Sequence, residues 1–139
     1  MLGHYIAIKS CNNDKYFSIS NDGKISFNQN DINNCTILKM RYEGRYITLE
    51  YKPGKYIPAN VDNSLGLDKD IVGDNERFEI EWINEDLFAL KANNGFYISV
   101  QKDGKIEVNQ KEINLSEQFS MIEKKEENLF EFLGFVSFK

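Results

Sequence analysis

The fold is decided by one stretch, Tyr97-Ile98-Ser99-Val100-Gln101-Lys102-Asp103-Gly104-Lys105-Ile106-Glu107-Val108-Asn109-Gln110. Apolar residues alternate with polar ones on both sides of its centre, which is the period of two half-buried strands. The central Asp103-Gly104 pair favours the positive backbone φ angles of a tight turn. The stretch therefore predicts a β-hairpin with a two-residue turn.

The same pattern occurs three times along the chain. Residues 16–29 repeat residues 97–110 at an offset of 81 without a gap. A weaker copy lies between them, at offsets of 40 and 41 residues from its neighbours. An internal repeat of this length indicates an array of similar structural units. Apolar residues recur at matched positions in three sets: Ile8, Leu49 and Leu90; Ile25, Leu65 and Ile106; and Leu38, Phe78 and Phe119.

Each copy predicts four short strands, so that three copies predict twelve strands in a closed all-β architecture. A propeller with this period needs more than three blades and the Gly-His and Trp-Asp marks, which the repeats lack. We therefore predict a β-trefoil, in which three four-stranded repeats surround a pseudo-threefold axis and the matched apolar sets meet on it. The predicted domain covers residues 1–123, with repeats at about 4–44, 45–84 and 85–123, followed by a C-terminal tail at 124–139.

The second copy departs from the pattern at two places. It has Val61-Asp62-Asn63-Ser64 where the other copies have Asp-Gly, which indicates that this turn has been lost. Pro58 falls inside a predicted strand, where it removes one backbone hydrogen-bond donor. The second hairpin is therefore expected to lack a backbone hydrogen bond.

A family resemblance rests on Leu90-Lys91-Ala92-Asn93-Asn94-Gly95-Phe96-Tyr97-Ile98-Ser99-Val100, followed by Asp103-Gly104-Lys105-Ile106. This stretch resembles a repeat of the fascin-type β-trefoils, the group that includes hisactophilin, and the resemblance extends over about Tyr5–Glu123. Fascins bundle actin with several trefoils in tandem, so the resemblance implies a non-catalytic module that binds a protein, with actin as the first candidate. The pH response of hisactophilin depends on many surface histidines and does not carry over, because His4 is the only histidine here.

An alternative hypothesis is a carbohydrate-binding trefoil. Sugar-binding trefoils of the ricin type carry Gln-x-Trp in each repeat, but the only tryptophan here, Trp82, is preceded two residues earlier by Ile80. A sugar site would instead need pockets in the turns at Ser10–Asp14, Tyr51–Lys55 and Asn93–Phe96. The candidate ligand-contacting residues in these turns are Asn12, Asn13, Tyr51, Lys52, Asn93, Asn94 and Phe96.

Several aromatic residues recur at equivalent positions. Tyr16, Tyr56 and Tyr97 each open a hairpin and could stack on sugars, but packing beneath the neighbouring repeat is the preferred interpretation. Tyr42 and Trp82 occupy positions that continue the alternating apolar pattern of their strands, and they are predicted to lie in the core or at its rim.

The C-terminal segment 128–139 is not explained by the repeats. Seven of its twelve residues are apolar, and four of these are phenylalanine. An apolar surface of this kind marks an interaction site when it is exposed. We expect the segment either to fold back over one end of the trefoil or to join subunits into a homo-oligomer, for example by strand addition. The candidate partner-binding residues are Leu129, Phe130, Phe132, Leu133, Phe135, Val136 and Phe138.

Composition argues against several classes of partner. The formal net charge is −5 without a basic stripe, whereas nucleic acids and anionic lipids attract clustered cations. No apolar run reaches the roughly 20 residues of a membrane-spanning helix. The Met1-Leu2-Gly3-His4 start has no secretion signal, which predicts a cytoplasmic protein.

The sequence also predicts no enzyme, no cofactor and no metal site. A Ser-His-Asp triad is nearly excluded because His4, the only histidine, lies at what is expected to be a frayed, solvated end. Cys11 and Cys35 lack a neighbouring histidine or Cys-x-x-Cys spacing. The acids of the loop 68–74 lack the distal bidentate glutamate of an EF-hand.

Overall fold

A computed structural model describes residues 3–67 and 70–124 of the chain. These residues form an all-β fold with eleven strands and three short 3-10 helices, which confirms the predicted class. The strands are β1 (Gly3–Ser10), β2 (Tyr16–Ile19), β3 (Ile25–Gln29), β4 (Leu38–Glu43), β5 (Tyr46–Lys52), β6 (Lys55–Tyr56), β7 (Phe78–Trp82), β8 (Phe88–Lys91), β9 (Tyr97–Val100), β10 (Ile106–Gln110) and β11 (Phe119–Glu123). The 3-10 helices are Ile32–Asn34, Asp74–Glu76 and Leu115–Glu117.

Six of the strands close into a barrel. Strand β1 pairs with β4, β4 with β5, β5 with β7, β7 with β8, β8 with β11, and β11 with β1, all antiparallel. Closure satisfies the backbone of each strand on both sides and leaves no open edge in the ring. The inward side chains of these strands therefore share one enclosed interior.

The remaining strands form hairpins between barrel strands. Strands β2 and β3 pair with each other, as do β9 and β10. In the second copy a single bridge between Ala59 and Leu65 stands where the others have a paired ladder. The described residues thus form eleven strands, not the predicted twelve. Pro58 has no N–H to extend this ladder, although its carbonyl accepts a hydrogen bond from Gly66 N–H at 2.9 Å.

The hairpin turns contain three residues, so the prediction of a two-residue turn is wrong. In the third hairpin, Gln101 N–H donates to the Lys105 carbonyl at 2.9 Å and Gly104 N–H donates to the Gln101 carbonyl at 2.9 Å. Gly104 has a φ of 91°. A residue in this left-handed region closes the three-residue hairpin loop, which is the role that glycine fills most readily. The first hairpin forms the equivalent two bonds, from Ser20 N–H to the Lys24 carbonyl and from Gly23 N–H to the Ser20 carbonyl.

The second copy keeps this turn without a glycine. Asn60 N–H donates to the Ser64 carbonyl at 2.7 Å, and Asn63 N–H donates to the Asn60 carbonyl at 3.1 Å. Asn63 adopts a φ of 68°, a conformation that asparagine tolerates better than most residues. The expectation that this turn was lost is therefore wrong, because asparagine replaces glycine in the left-handed position.

The predicted core sets lie inside the barrel. Every member of the Ile8 set and of the Leu38 set is at most 3% exposed, and the Ile25 set is half-buried against them. Phe119 lies 5.5 Å from Phe27 and 6.0 Å from Phe88 between ring centroids. Aromatic contacts at such distances add to the free energy of burying the rings. The remaining apolar cavity at this centre has a volume of only about 20 Å³.

No helix in the described ranges 3–67 and 70–124 is both long and apolar enough to cross a membrane.

The packing of the hairpins against each other can be tested with two glycines. Gly23 and Gly104 have similar positive φ angles, of 84° and 91°. A Cβ on Gly104 would lie 2.5 Å from the Phe27 carbonyl oxygen, whereas a Cβ on Gly23 would meet no atom within 4 Å. We expect Gly23→Ala to lower the free energy of unfolding by about 1–2 kcal/mol through backbone strain alone. Gly104→Ala should cost about 1–3 kcal/mol more, since the backbone must move to admit the methyl group.

Urea unfolding of both variants, monitored by circular dichroism, measures this difference. Equal costs for the two substitutions would contradict the close approach of the first and third hairpins.

Candidate functional site

The hairpin tips form the first candidate surface, which we call the hairpin face. Its floor consists of Ile25, Leu65 and Ile106, one from each copy, all half-buried. A groove of about 560 Å³ runs between the first and third hairpins, and a depression of about 350 Å³ lies among all three. The polar rim consists of Ser20, Asp22, Lys24, Ser26, Asn28, Ser64, Asp103, Lys105 and Glu107.

The hairpin face is held in place by the backbone. Phe27 N–H in the first hairpin donates to the Gly104 carbonyl in the third at 3.0 Å. Val108 N–H in the third hairpin donates to the Asn63 carbonyl in the second at 2.8 Å. Since backbone bonds link all three hairpins, the relative positions of their tips are set by the fold before any partner binds.

The carboxylates at the turns are stabilised in their charged form. The Ser20 hydroxyl donates to Asp22 and lowers the pKa of that carboxyl below its usual value. The Ser64 hydroxyl donates to Asp62 at 2.5 Å and has the same effect on its pKa. Val61, beside this turn, is 97% exposed. The face thus presents charge and hydrogen-bonding groups around an apolar centre.

Asn12 and Asn13, two predicted ligand residues, are engaged by the fold itself. The Asn12 amide donates to the Val100 carbonyl at 2.8 Å, and the Asn13 amide donates to the Phe27 carbonyl at 2.9 Å. Lys102 Nζ in addition lies 2.8 Å from the Asn12 carbonyl. These contacts bring the turn Ser10–Asp14 against the first and third hairpins. Ligand contact by Asn12 and Asn13 stays a prediction.

Asn93 lies in the second candidate surface, a polar cleft of about 280 Å³. Arg77 Nε in this cleft lies 3.3 Å from Glu43 Oε1, and its Nη1 lies 3.9 Å from Asp74 Oδ1. Arg45 stacks on the Tyr46 ring at 5.1 Å and donates to its hydroxyl at 3.0 Å. The polar groups of the cleft are Tyr46, Asp74, Arg77, Glu79, Lys91 and Asn93.

The other predicted ligand residues lie in the turns at Tyr51–Lys55 and Asn93–Phe96. The Asn94 side chain accepts a hydrogen bond from Phe96 N–H at 3.0 Å, which shapes its own turn. Lys52 Nζ lies 5.8 Å from the centroid of the Tyr51 ring, at the turn between β5 and β6. Of the predicted ligand residues, Asn93 therefore lines the cleft. The residues of these two turns that do not line it are Tyr51, Lys52, Asn94 and Phe96.

The equivalent tyrosines pack in the fold. Tyr16 and Tyr97 are buried and Tyr56 is half-buried, which favours the packing interpretation over sugar stacking. The Tyr97 hydroxyl donates to Glu81 Oε2 at 2.6 Å. This bond, together with burial, raises the pKa of Tyr97 to about 12, because the carboxylate stabilises the neutral phenol and repels a phenolate. Trp82 is 48% exposed and packs on Phe88, so it lies at the rim.

Two buried carboxylates were not singled out from the sequence. Glu76 is 6% exposed and accepts a hydrogen bond from Gly73 N–H at 2.7 Å, and Glu117 is 2% exposed and accepts one from Asn114 N–H at 2.8 Å. The Ser99 hydroxyl also donates to Glu117 at 2.7 Å. Both carboxylates fasten the loop before a barrel strand. The sequence does carry a signal for them, because Glu76 stands two residues before Phe78 and Glu117 stands two residues before the matched Phe119.

The histidine and cysteine side chains occupy structural positions. His4 lies within β1, where its Nδ1 is 3.1 Å from Glu123 Oε2 and its ring meets the edge of Tyr42. The expectation that His4 occupies a frayed end is therefore wrong. Burial, with a smaller effect of Asp14, raises the pKa of the Cys11 thiol. Residues 3–67 and 70–124 contain no group of three or more His, Cys, Asp and Glu side chains that could hold a metal ion.

The predicted C-terminal binding segment lies outside the described residues. Its seven candidate residues are Leu129, Phe130, Phe132, Leu133, Phe135, Val136 and Phe138. Asp68, one acid of the loop 68–74, also lies outside them, and Asp70 pairs with Lys55.

Comparison with known proteins finds a distant likeness to fascins. No family model matches the chain. The chain is 23% identical to Fascin-2 of Bos taurus and of Homo sapiens, and 22% identical to Fascin-2 of Mus musculus, over 94 residues in each case. The matched region covers 68% of this chain but only 19% of each relative, so that the chain spans about a fifth of their length. This likeness and the all-β barrel support a fascin-like fold.

Proposed function

We propose that the chain is a non-catalytic β-trefoil module that binds a protein through its hairpin face, with filamentous actin as the first candidate. The trefoil assignment is supported by the closed six-stranded barrel and by three hairpin turns with the same hydrogen bonds. It is also supported by the matched core residues, which lie on equivalent strands. Leu38, Phe78 and Phe119 each begin a barrel strand that follows a 3-10 helix.

The observation that carries the binding proposal is the composition of the hairpin face. Protein interfaces combine an apolar centre that is desolvated on binding with a polar rim that stays near water. The hairpin face has both, since Ile25, Leu65 and Ile106 form the floor and charged and hydroxyl side chains surround it. Actin is the first candidate because the sequence resembles the actin-bundling fascins and is similar to Fascin-2 over 94 residues.

The non-catalytic part of the proposal is supported by the state of the reactive side chains. The only histidine is paired with Glu123. A raised thiol pKa makes Cys11 a poorer nucleophile, because less thiolate is present at neutral pH. The buried carboxylates Glu76 and Glu117 are bonded to backbone N–H groups and serve the fold.

Co-sedimentation with filamentous actin tests the proposal, at two salt concentrations and beside a spin of the protein alone. Lys24 and Lys105 are exposed on the rim of the hairpin face. We expect the wild-type protein to pellet only with filaments, and Lys24→Glu/Lys105→Glu to reduce the bound fraction at least fivefold because the rim charge is reversed. The matched control is Lys52→Glu/Lys111→Glu, which makes the same change in net charge at exposed lysines outside the face.

Each outcome of this experiment is decisive for one part of the proposal. Failure of the wild-type protein to pellet with actin at tens of micromolar would remove actin as the partner. An equal loss of binding in the control pair would remove the hairpin face as the binding surface.

Glycan binding is the second candidate function, and the polar cleft favours it. Carboxylates, an amide and a guanidinium surround a space of about 280 Å³, and such groups bond readily to sugar hydroxyls. The Asp74 side chain is 83% exposed, so that Asp74→Ala should leave the fold intact. On a glycan array we expect hits that weaken at least tenfold in Asp74→Ala. Silence of the wild-type protein across the array would end this hypothesis.

A further inference from the structure

The turn between β8 and β9 has the same geometry as the hairpin turns. Ala92 N–H donates to the Phe96 carbonyl at 2.8 Å, and Gly95 N–H donates to the Ala92 carbonyl at 3.0 Å. Gly95 has a φ of 88° and closes this turn as Gly104 closes the third hairpin turn. The same three-residue turn thus occurs at residues 20–24, 60–64, 92–96 and 101–105.

One position of these turns differs in its chemistry. The residue before the one that closes the turn is a carboxylate in the hairpins, at Asp22, Asp62 and Asp103, but an amide, Asn94, in the turn 92–96. The side-chain oxygens of Asp103 and Asn94 each accept the backbone N–H two residues later, both at 3.0 Å. The two side chains therefore occupy the same place in the same kind of turn, and any difference in reactivity comes from the groups themselves.

Asparagine is among the thermally labile residues, and a following glycine makes it more so, because glycine has no Cβ to obstruct its backbone nitrogen. This nitrogen attacks the asparagine Cγ and loses its proton, the bond from Cγ to the amide nitrogen breaks, and ammonia leaves. The product is a five-membered succinimide ring. Water then opens either carbonyl of the ring and gives aspartate or isoaspartate, in which the backbone runs through the side-chain carboxyl.

The surroundings of Asn94 permit this reaction. Asn94-Gly95 is the only Asn-Gly pair in the chain, and both residues are exposed. Apart from its neighbours in the chain, no atom lies within 4 Å of the place where a Cβ on Gly95 would stand. The Gly95 N–H bond must open before the nitrogen attacks, and bonds at exposed turns open at a low free-energy cost.

The equivalent asparagine of the first copy is held more firmly. The Asn13 amide donates to the Phe27 carbonyl at 2.9 Å, and Asn13 precedes Asp14, whose Cβ obstructs the attacking nitrogen. The Asn94 amide nitrogen lies 3.5 Å from Asn63 Oδ1, at the limit of a hydrogen bond. The Asn94 side chain is therefore freer to form the ring.

The carboxylates at the equivalent position are protected by their charge. An ionised carboxylate is a poor electrophile, so that an Asp-Gly pair forms the ring only through its protonated acid, with loss of water. The Ser20 hydroxyl lowers the pKa of Asp22, and the Ser64 hydroxyl lowers that of Asp62. Both carboxyls are thereby kept in the unreactive form at neutral pH.

We propose that Asn94 is a site of spontaneous deamidation, which converts the turn 92–96 into a mixture of aspartate and isoaspartate forms. The aspartate form places here the residue type that the hairpin turns already hold, so the fold accommodates it. The isoaspartate form adds a methylene group to the backbone between Asn93 and Gly95, which both line the polar cleft. Both forms add a negative charge beside the cleft. The proposal concerns the covalent chemistry of the turn and does not rest on the proposed function.

Ageing of the folded full chain at mildly alkaline pH tests the proposal, with peptide mapping by mass spectrometry and fragmentation to separate Asn94 from Asn93. We expect Asn94 to deamidate at least tenfold faster than Asn13, the internal control in an equivalent turn. A protein isoaspartyl methyltransferase with a labelled methyl donor should label the aged protein but not the fresh one. Deamidation of Asn94 no faster than that of Asn13 would overturn the proposal.

Two variants separate the chemistry from the fold. Gly95→Asn should fold, because Asn63 closes an equivalent turn, and should slow deamidation of Asn94 at least tenfold. Asn94→Asp should keep the wild-type melting temperature and reduce methyl labelling of the aged protein at least fivefold. An unchanged Asn94 rate in folded Gly95→Asn would contradict the role of the glycine. Unchanged labelling of Asn94→Asp would overturn the proposal, because isoaspartate would then arise at another residue.

Discussion

The fold depends on the packing of side chains from all three copies at the centre of the barrel. Phe27 comes from the first hairpin, whereas Phe88 and Phe119 come from barrel strands of the third copy. The Phe119 ring centroid lies 5.5 Å from that of Phe27 and 6.0 Å from that of Phe88. A closed barrel needs an interior that its side chains fill, since an unfilled one loses both dispersion contacts and burial of apolar surface. The second copy adds Leu49, Ile57 and Phe78 to the same core cluster, so all three copies contribute to this interior.

The same packing explains why the hairpin face is a preformed surface. The hairpins rest on the core and are linked to each other by backbone bonds, through Gly104 and Asn63. These two residues also adopt the left-handed conformation that closes their turns. A partner that binds the hairpin face would therefore meet groups whose positions are already fixed, which lowers the entropy cost of binding.

The repeated apolar positions made the class of fold and the core predictable from the sequence. Their spacing of 40 and 41 residues reports which side chains are buried together, and this does not depend on details of the turns. The turn length was predicted wrongly because Asp103-Gly104 indicates a positive φ angle but does not show which residues form the closing hydrogen bonds. In the second hairpin the number of strands was overestimated, because Pro58 cannot extend the ladder beyond a single bridge. The turn was underestimated, because Asn63 keeps its hydrogen bonds without a glycine. The role of Asn12 depends on a contact with the distant Val100 carbonyl, which no local pattern contains. Glu76 and Glu117 each bond a backbone N–H only three residues earlier, so the sequence could have revealed them through their repeated position two residues before a matched phenylalanine.

The most direct test of this account is the free energy of unfolding of Phe119→Ala, measured by urea denaturation. Phe119 is 1% exposed and contacts rings from two other strands, so its truncation should cost about 3–5 kcal/mol. Leu115→Ala is the control, because Leu115 is 52% exposed, and its cost should stay within about 0.5 kcal/mol. A Phe119→Ala protein with wild-type stability would contradict the claim that a shared core at the centre of the barrel holds the three copies together.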